Sequence, residues 1–201
     1  MVVGEVRFET PSLHSAHVLP AVASVLRAAG IDPREVAGYA VTIGPGAFTG
    51  LRVGISTVQG LALAAGRPTV GVSSLDVLAA QTRGEVPSIV AMIDAGRGQV
   101  YAREYDGAAR RVGEARVEDP AGFGRWLPER AACVGDGAMR YRDEIRAVRP
   151  ASLFPVGSAG LAAALALVAA PIFAAGGGVP PAELRPLYLR GADIRRPSPP
   201  S

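Results

Sequence analysis

Apolar positions in the first half of the chain switch between the period of a strand and that of a helix. Residues 2–10 alternate loosely between apolar and polar side chains, which predicts a strand. Residues 13–29 carry apolar side chains at helical spacing, and Pro20 is expected to kink this helix or delay its start. Residues 39–43 and 69–72 are short apolar runs that predict buried strands. Strands therefore alternate with helices, as in an α/β fold.

A helix is predicted over residues 49–65, and it has two apolar faces instead of one. The first face is aliphatic, and the second consists mostly of small residues. Their members are Leu51, Ile55, Val58, Ala62 and Ala65 on the first, and Gly50, Gly54, Thr57, Leu61 and Ala64 on the second. We expect both faces to be buried. The two glycines each cost about 1 kcal/mol relative to alanine, so another element should approach the helix closely there.

The second half begins near Val86 and also mixes strands with helices. The first half ends with a predicted helix at residues 75–81. The predicted strands of the second half are residues 88–94, 99–105, 112–117 and 131–134. Its predicted helices are residues 123–127, 141–148 and 161–170. A glycine-rich turn at residues 95–98 predicts a hairpin between the first two of these strands. The order of elements gives a weak indication of an internal repeat.

Composition indicates a folded protein without disulfides. Apolar residues make up 49% of the chain and charged residues 19%, which excludes a disordered class. All 21 basic residues are arginine and the net charge is only +3, so the arginine clusters favour a solvated face over an RNA-binding one. Cys133 is the only cysteine, which indicates a reducing cytoplasm. Pro171 divides the uncharged residues 158–175, which are therefore too short to span a membrane.

The glycine-rich residues 44–52 lie between a predicted strand and a predicted helix. Backbone N–H groups in such a turn can bind a phosphate. The turn lacks the Lys-Ser/Thr pair of a P-loop and the glycine spacing of a dinucleotide-binding turn. Tight packing between strand and helix is the favoured interpretation, and phosphate binding is the alternative.

Other candidate chemistry is sparse. Asp94-Ala95-Gly96 has the form of the Asp-x-Gly phosphate loops of sugar kinases and actin-like ATPases, although Asp and Gly also suit a hairpin turn for local reasons. His14 and His17 are the only histidines, and no third ligand is identifiable for a metal. Ser73 lacks the second glycine of a nucleophile elbow, which argues against a serine hydrolase.

Five motifs in sequence order resemble the TsaB family, which is also called YeaZ. They are residues 44–54 (GPGAFTGLRVG), 70–75 (VGVSSL), 92–101 (MIDAGRGQVY), 135–138 (GDGA) and 186–190 (PLYLR). The resemblance implies an α/β fold of the actin-like ATPase superfamily with two RNase H-like lobes. The lobes would comprise residues 1–85 and 86–190, and residues 191–201, rich in proline, are expected to form a disordered tail.

The resemblance also implies a function. Members of this family work with the paralogue TsaD and the ATPase TsaE to make threonylcarbamoyladenosine beside the anticodon of tRNA. This chain would be the non-catalytic scaffold or dimerisation subunit, so no catalytic, cofactor-binding or metal-binding residue is assigned to it. It would contact tRNA through the complex. It would act in the cytoplasm and would not bind a membrane. A homodimer is an alternative to the complex with TsaD. A small ATPase or phosphotransferase that uses the Asp94 loop remains the alternative function.

Two sets of residues follow from the resemblance. The family motifs contribute Gly44, Gly46, Thr49, Gly50, Arg52, Asp94, Arg97, Tyr101, Tyr188 and Arg190. In the family, the helices after the third and fourth strands pack against the same pair of a partner, which predicts an interface at Leu19, Val22, Leu26, Gly54, Val58 and Leu61. The sequence does not determine which side of each helix faces the partner.

The chain departs from the family in three places. Gly96 and Gln99 stand where the family typically has a basic residue and Glu, which weakens any functional claim for that loop. Ala47 stands where serine is usual, so the hydroxyl that would cap the following helix is missing. Residues 2–10 resemble the third strand of the family, which implies that the first two strands of the first lobe are missing. On this interpretation the native chain has about 20 more residues upstream, the length that two strands and a turn require.

Overall fold

A computed structural model of the chain describes residues 1–8, 15–82, 86–155 and 160–189. The first part of it contains helices and strands in alternation. They are α1 (Ser15–Ala29), β1 (Tyr39–Gly44), α2 (Phe48–Ala65), β2 (Thr69–Ser73) and α3 (Ser74–Ala80). A short 3₁₀ turn at Pro33–Glu35 precedes β1, and the Asp32 carboxylate caps it by accepting from the N–H of Arg34 at 2.8 Å.

Strands β1 and β2 form a parallel pair with helices on both faces. On one face Val41 and Ile43 pack against Ile55 of α2. On the other face Val70 and Val72 pack against α3 and against a C-terminal helix, α7 (Leu161–Ala174). Because successive side chains of a strand point to opposite faces, a fully covered sheet produces the continuous apolar runs read from the sequence.

The remaining elements form a four-stranded sheet with helices on one side. They are β3 (Ser88–Gly96), β4 (Gln99–Asp106), β5 (Arg116–Glu118), α4 (Phe123–Trp126), β6 (Ala132–Val134), α5 (Asp136–Arg140) and α6 (Arg142–Val148). The strand order is β5-β4-β3-β6, with β3–β4 and β4–β5 antiparallel and β3–β6 parallel. The predicted hairpin pairs Ser88 with Asp106 and Asp94 with Val100.

Helix α3 lies between the two sheets and packs against both. Its Leu75 and Ala79 contact Ile89, Ala91 and Tyr105 on the four-stranded sheet. Its Val77 belongs instead to the cluster formed by β2 and α7. The other face of the four-stranded sheet packs on Phe123 of α4, Ile145 of α6 and Tyr141, which directly precedes α6. These contacts confirm the predicted α/β class.

The strand predicted at residues 2–10 is wrong for the residues that the structure describes. Residues 1–8 form no strand and are exposed, while residues 9 and 10 lie outside the described part of the chain. A strand requires a neighbour for its backbone hydrogen bonds, and residues 1–8 pair with no described strand. Instead the Glu5 carboxylate accepts from the N–H groups of Ala162 and Ala163 at the start of α7, at 2.9 and 3.3 Å.

Three further predictions need correction. The third strand is only Arg116–Glu118, shorter than the predicted residues 112–117. Helix α5 was not predicted, because its Gly137 disfavours a helix; a Cβ on Gly137 would lie 2.9 Å from the Ile93 carbonyl carbon, so close packing on β3 requires this glycine. Helix α7 passes through Pro171 and ends at Ala174. None of the helices within the described ranges is long and apolar enough to cross a membrane.

Residues 160–189 pack mainly on the first sheet. Helix α7 contacts β2, Val179 bridges to Thr69, and Leu184 joins the cluster of Val41 and Ile55. The predicted boundary between residues 85 and 86 separates the two sheets, but the chain then returns to the first one. The predicted tail at residues 191–201 lies outside the described residues.

Candidate functional site

The glycine-rich turn is held by the C-terminal segment. The N–H of Leu187 donates to the carbonyl oxygen of Ile43 at 2.7 Å, just before the turn. Gly44 has φ +116°, and a Cβ placed on it would lie 2.6 Å from the Leu187 carbonyl oxygen. Gly46 also has positive φ, at +159°. Close backbone approach and left-handed backbone therefore account for Gly44, as the packing interpretation of the turn expects.

Helix α2 begins directly after this turn with an exposed group of aromatic and basic side chains. Ala47 occupies the N-cap position and makes no side-chain hydrogen bond there. Phe48 in the first turn lies 5.8 Å from Tyr188, measured between ring centroids. The Arg52 guanidinium lies 3.8 Å from the centroid of the Phe48 ring. Thr49 and Gly50, the other motif residues here, are exposed, and Arg190 lies outside the described residues.

The Asp94 loop is held by its own hydrogen bonds and by one ion pair. Asp94 Oδ1 accepts from the N–H of Gly96 at 3.0 Å, and Asp94 Oδ2 lies 2.8 Å from Arg140 Nη1. The N–H of Asp94 donates to Asp136 Oδ1 at 3.2 Å. The first contact is typical of a turn that needs no ligand. The Arg140 cation already balances the carboxylate that would serve the alternative ATPase function.

Arg97 and Tyr101, the other motif residues of this hairpin, lie on different parts of it. Arg97 is exposed in the turn with φ +56°, and Tyr101 is half-buried in β4 opposite Ile93. His17 stacks on Phe8 with ring centroids 6.3 Å apart, whereas His14 is not among the described residues. No cluster of three metal-ligating side chains occurs within residues 1–8, 15–82, 86–155 and 160–189.

The six predicted interface residues do not share one surface. Leu19 is 52% exposed on α1, and Leu61 is half-buried. Val22 and Leu26 line an apolar cavity of about 420 Å³ between α1 and residues 4–8. On α2, Val58 packs against the cluster of Val41 and Ile55, and a Cβ on Gly54 would lie 3.5 Å from Val41 Cγ2. Gly54 and Val58 therefore face the chain's own sheet.

One exposed residue of this region was missed. Leu63, on the last turn of α2, is 75% exposed, more than any other large apolar side chain of the described helices. The helical spacing of residues 49–65 assigned Leu63 to neither apolar face. A leucine outside both faces of an amphipathic helix is the signal that would have identified it.

A buried ionic group joins α3 to the four-stranded sheet, and the sequence did not indicate it. The Tyr105 hydroxyl donates to Asp76 Oδ1 at 2.8 Å, and Arg111 Nε donates to the same oxygen at 3.1 Å. Arg103 Nη1 lies 3.6 Å from this carboxylate. Desolvation, followed by the charge of Asp76, raises the pKa of Tyr105 far above its usual value of 10. The hydroxyl therefore stays protonated and positions α3.

The two sheets, the shared helix α3 and the glycine-rich turn define the class of protein as α/β with mixed sheets, consistent with an actin-like fold. Comparison with known proteins gives the family. The TsaD family, described as tRNA N6-adenosine threonylcarbamoyltransferase, matches residues 9–168. YeaZ from Pseudomonas aeruginosa, a solved structure, superposes with a TM-score of 0.76 at 33% identity, covering 89% of this chain and 85% of that one.

Sequence relatives agree with the structural match. The tRNA threonylcarbamoyladenosine biosynthesis protein TsaB of Escherichia coli is 40% identical over 97 residues, which cover 47% of this chain and 42% of that protein. The chain thus spans less than half of that curated relative. An uncharacterised protein of Mycobacterium tuberculosis is 32% identical over 201 residues, covering 97% of this chain and 83% of its own length. The chain belongs to the TsaB/YeaZ family.

Proposed function

We propose that this chain is a non-catalytic scaffold subunit that supports TsaD in transferring a threonylcarbamoyl group to the adenosine beside the anticodon of tRNA. Its place of action is the cytoplasm, and its two sheets are the cores of two RNase H-like lobes in an actin-like arrangement. The names of its relatives support the pathway. The chemistry of the described residues supports the non-catalytic role, because Asp94 is paired with Arg140.

The observation that carries the proposal is the exposed apolar surface of α1 and α2. Leu19 and Leu63 are 52% and 75% exposed, one on each of two adjacent helices. Exposed leucines on two helices that contact each other favour a protein partner. We place TsaD on this surface, with the half-buried Val22, Leu26 and Leu61 contributing. Gly54 and Val58, which face the sheet, support the surface from beneath.

The remaining partners follow from this arrangement. TsaE joins the complex, and tRNA is modified within it. A second copy of this chain competes for the same surface in the absence of TsaD, because a surface built from two helices can pack against its own copy across a twofold axis. The family motifs around Gly44, Arg97 and Tyr101 maintain the shape of the two lobes in this proposal, and none of them carries out a chemical step.

Reconstitution with purified proteins tests the proposed function. TsaD, TsaE, tRNA and a threonylcarbamoyl donor are incubated with and without this chain, and modified adenosine is quantified by mass spectrometry. We expect modification only when the chain is present, and no modification by the chain without TsaD. Modification by TsaD at the same rate without the chain would contradict the proposal.

A phosphate-release assay addresses the alternative function. The chain by itself is incubated with ATP, and we expect no turnover. Enzymes typically work at about 1–1000 per second, so turnover above about 0.1 per second would favour an ATPase or phosphotransferase. The variant Asp94→Asn then decides whether that turnover belongs to this chain, because a contaminating ATPase would be unaffected.

A further inference from the structure

The aromatic and basic group at the start of α2 is not used by the scaffold role. Phe48 and Arg52 are four residues apart on α2 and therefore share one side of the helix. Tyr188 reaches them from the C-terminal segment, which the hydrogen bond between Leu187 and Ile43 holds in place. We call Phe48, Arg52, Arg185 and Tyr188 the aromatic–arginine surface. Two segments that are far apart in sequence thus build it together.

The aromatic rings of this surface are not part of the core. Phe48 and Tyr188 are 48% and 47% exposed, and their planes are tilted by 30°. Burial of a large aromatic side chain contributes strongly to stability, so two half-exposed rings side by side leave favourable contact area unused. The rings offer a flat apolar surface on which a planar ligand can stack.

Among the described residues, the cations of the surface have no acidic partner. The Arg52 guanidinium stacks on the Phe48 ring, and across the described ranges no carboxylate lies within ion-pair distance of it. Within the described part of the chain, Arg185 donates to the carbonyl oxygens of Ala182 and Leu184 and to no carboxylate. Both guanidinium groups keep their full charge and further N–H donors for an anion. The ring also holds Arg52 in one orientation, which reduces the entropy that a bound anion must overcome.

A groove of about 440 Å³ runs beside these side chains. Arg52, Ser56, Gln59, Arg185 and Tyr188 are among the residues that line it, and none of the lining residues that the structure describes is acidic. The Gln59 amide donates to the carbonyl oxygens of Pro181 and Leu184 at 2.9 and 3.2 Å. These bonds fix the C-terminal segment on one side of the groove to α2 on the other. The groove is therefore a built feature with a positive potential and an aromatic edge.

We propose that the aromatic–arginine surface binds a nucleotide of a single-stranded RNA segment. One base stacks on Tyr188, and a neighbouring phosphate contacts Arg52 and Arg185. Aromatic rings and arginine planes are the groups that recognise unpaired RNA bases, and arginine is suited to bidentate contact with phosphate. Because the two rings are half-exposed, their faces are accessible to an RNA strand that passes across them. This proposal rests on the proposed function, in that the RNA segment is the anticodon loop of the tRNA.

Direct RNA binding by the isolated chain tests the proposal. The probe is a fluorescently labelled anticodon stem-loop of a substrate tRNA, and binding is measured by anisotropy at several salt concentrations. We expect Tyr188→Ala to weaken binding by about 5-fold to 100-fold, the effect of one lost base stack. Phe48→Ala should also weaken binding, because the Phe48 ring holds the Arg52 guanidinium in place. Tyr188→Phe, which keeps the ring, should bind like the parent chain. Thermal melting of each variant confirms that it is folded.

The salt dependence separates the roles of the two residue types. Arg52→Ala should reduce the slope of log affinity against log salt by about 1, because one phosphate contact is lost. Tyr188→Ala should leave that slope unchanged. The matched control is Arg125→Ala, which removes an exposed arginine on α4, away from the groove. Equal losses in Arg52→Ala and Arg125→Ala would show non-specific attraction and would overturn the proposal.

Association with TsaD distinguishes this proposal from the proposed function. The same variants are tested for capture by immobilised TsaD. Variants that bind RNA like the parent chain but lose TsaD would identify a protein-binding surface, which overturns the RNA proposal and leaves the scaffold role intact. Variants that keep both activities would also overturn the proposal. Loss of RNA binding with TsaD capture unchanged is the result that supports it.

Discussion

The Tyr105 hydroxyl donates a 2.8 Å hydrogen bond to the Asp76 carboxylate, and this bond joins the helix shared by both sheets to the centre of one of them. Tyr105 is fully buried on β4, and Asp76 is the one acidic residue of α3. Arg103 and Arg111 complete the charge balance around the carboxylate. Because α3 also packs on the first sheet, this group sets how the two sheets are held relative to each other.

Replacing Tyr105 by phenylalanine should therefore lower the free energy of unfolding. The variant keeps the ring but removes a hydrogen bond to a charged group, which costs about 1.5–3 kcal/mol. Urea denaturation monitored by circular dichroism measures the change. Tyr39→Phe is the control, since Tyr39 is only half-buried on β1, and we expect its effect to be below about 0.5 kcal/mol. Equal stability of Tyr105→Phe and the parent chain would show that the bond contributes nothing.

Alkaline pH should destabilise the chain through Cys133. Burial raises the pKa of this thiol from 9.0 to about 11. The unfolded chain releases the thiol proton near pH 9, whereas the folded chain keeps it until about pH 11. The stabilising contribution is therefore complete below pH 9 and is lost as the pH rises to about 11, at most about 3 kcal/mol in total.

Urea denaturation at pH 8 and pH 10.5 measures this loss. Tyr105 also holds its proton more tightly in the folded state, so it adds to the loss above pH 10. The Cys133→Ala variant isolates the thiol, since its stability should fall less between the two pH values than that of the parent chain. An identical fall in both proteins would assign the effect to Tyr105 alone and would contradict the role of Cys133.

Periodicity predicted the elements well where they contact only their sequence neighbours or a sheet face. The alternation at residues 88–94 and 99–105, joined by glycines, predicted the β3–β4 hairpin and nearly its ends. Periodicity does not predict an element correctly where that element needs a neighbouring strand from elsewhere in the chain. Residues 2–10 alternate like a strand, yet residues 1–8 find no strand among the described residues to pair with.

The candidate site shows the same limit. The motif residues Gly44 and Gly46 predicted a turn, and the structure contains it. The contact of this turn with Leu187 joins residues that no local sequence pattern connects. Tyr105 and Asp76 are 29 positions apart, and no spacing rule predicts a bond over such a separation. Likewise, the prediction that both apolar faces of α2 are buried is wrong at Gly50, which is exposed and has nothing within 4 Å of a built Cβ. Only the packing on Val41 reveals that Gly54 faces inward.

Two glycines of α2 should respond to substitution in opposite ways. A Cβ on Gly54 would already be in ordinary contact with Val41 at 3.5 Å, so the further carbons of Gly54→Leu should overpack the core and cost about 1–3 kcal/mol. Gly60 has nothing within 4 Å of a built Cβ, so Gly60→Ala should stabilise the helix by about 0.5–1 kcal/mol. Thermal melting compares both variants with the parent. A Gly54→Leu variant that melts like the parent would place this face of the helix outside the core.

The proposed partner surface should be sensitive to charge at Leu19 and Leu63. An arginine at either position introduces a cation where an apolar contact is proposed, and burying an unpaired charge in an interface is strongly unfavourable. We expect Leu19→Arg and Leu63→Arg to weaken TsaD binding at least about 10-fold by calorimetry, the equivalent of about 1.4 kcal/mol. Their melting temperatures should stay unchanged, because both side chains are already exposed in the isolated chain.

Met139 provides the matched control for this experiment. It is 52% exposed, like Leu19, but it lies on α5, against the four-stranded sheet. Met139→Arg therefore makes the same kind of change on a surface to which no partner is assigned, and TsaD binding should match that of the parent chain. If all three variants weakened binding equally, the effect would come from net charge. If neither leucine variant weakened it, TsaD would bind elsewhere, because no protein interface tolerates an unpaired arginine at its apolar centre without loss of affinity.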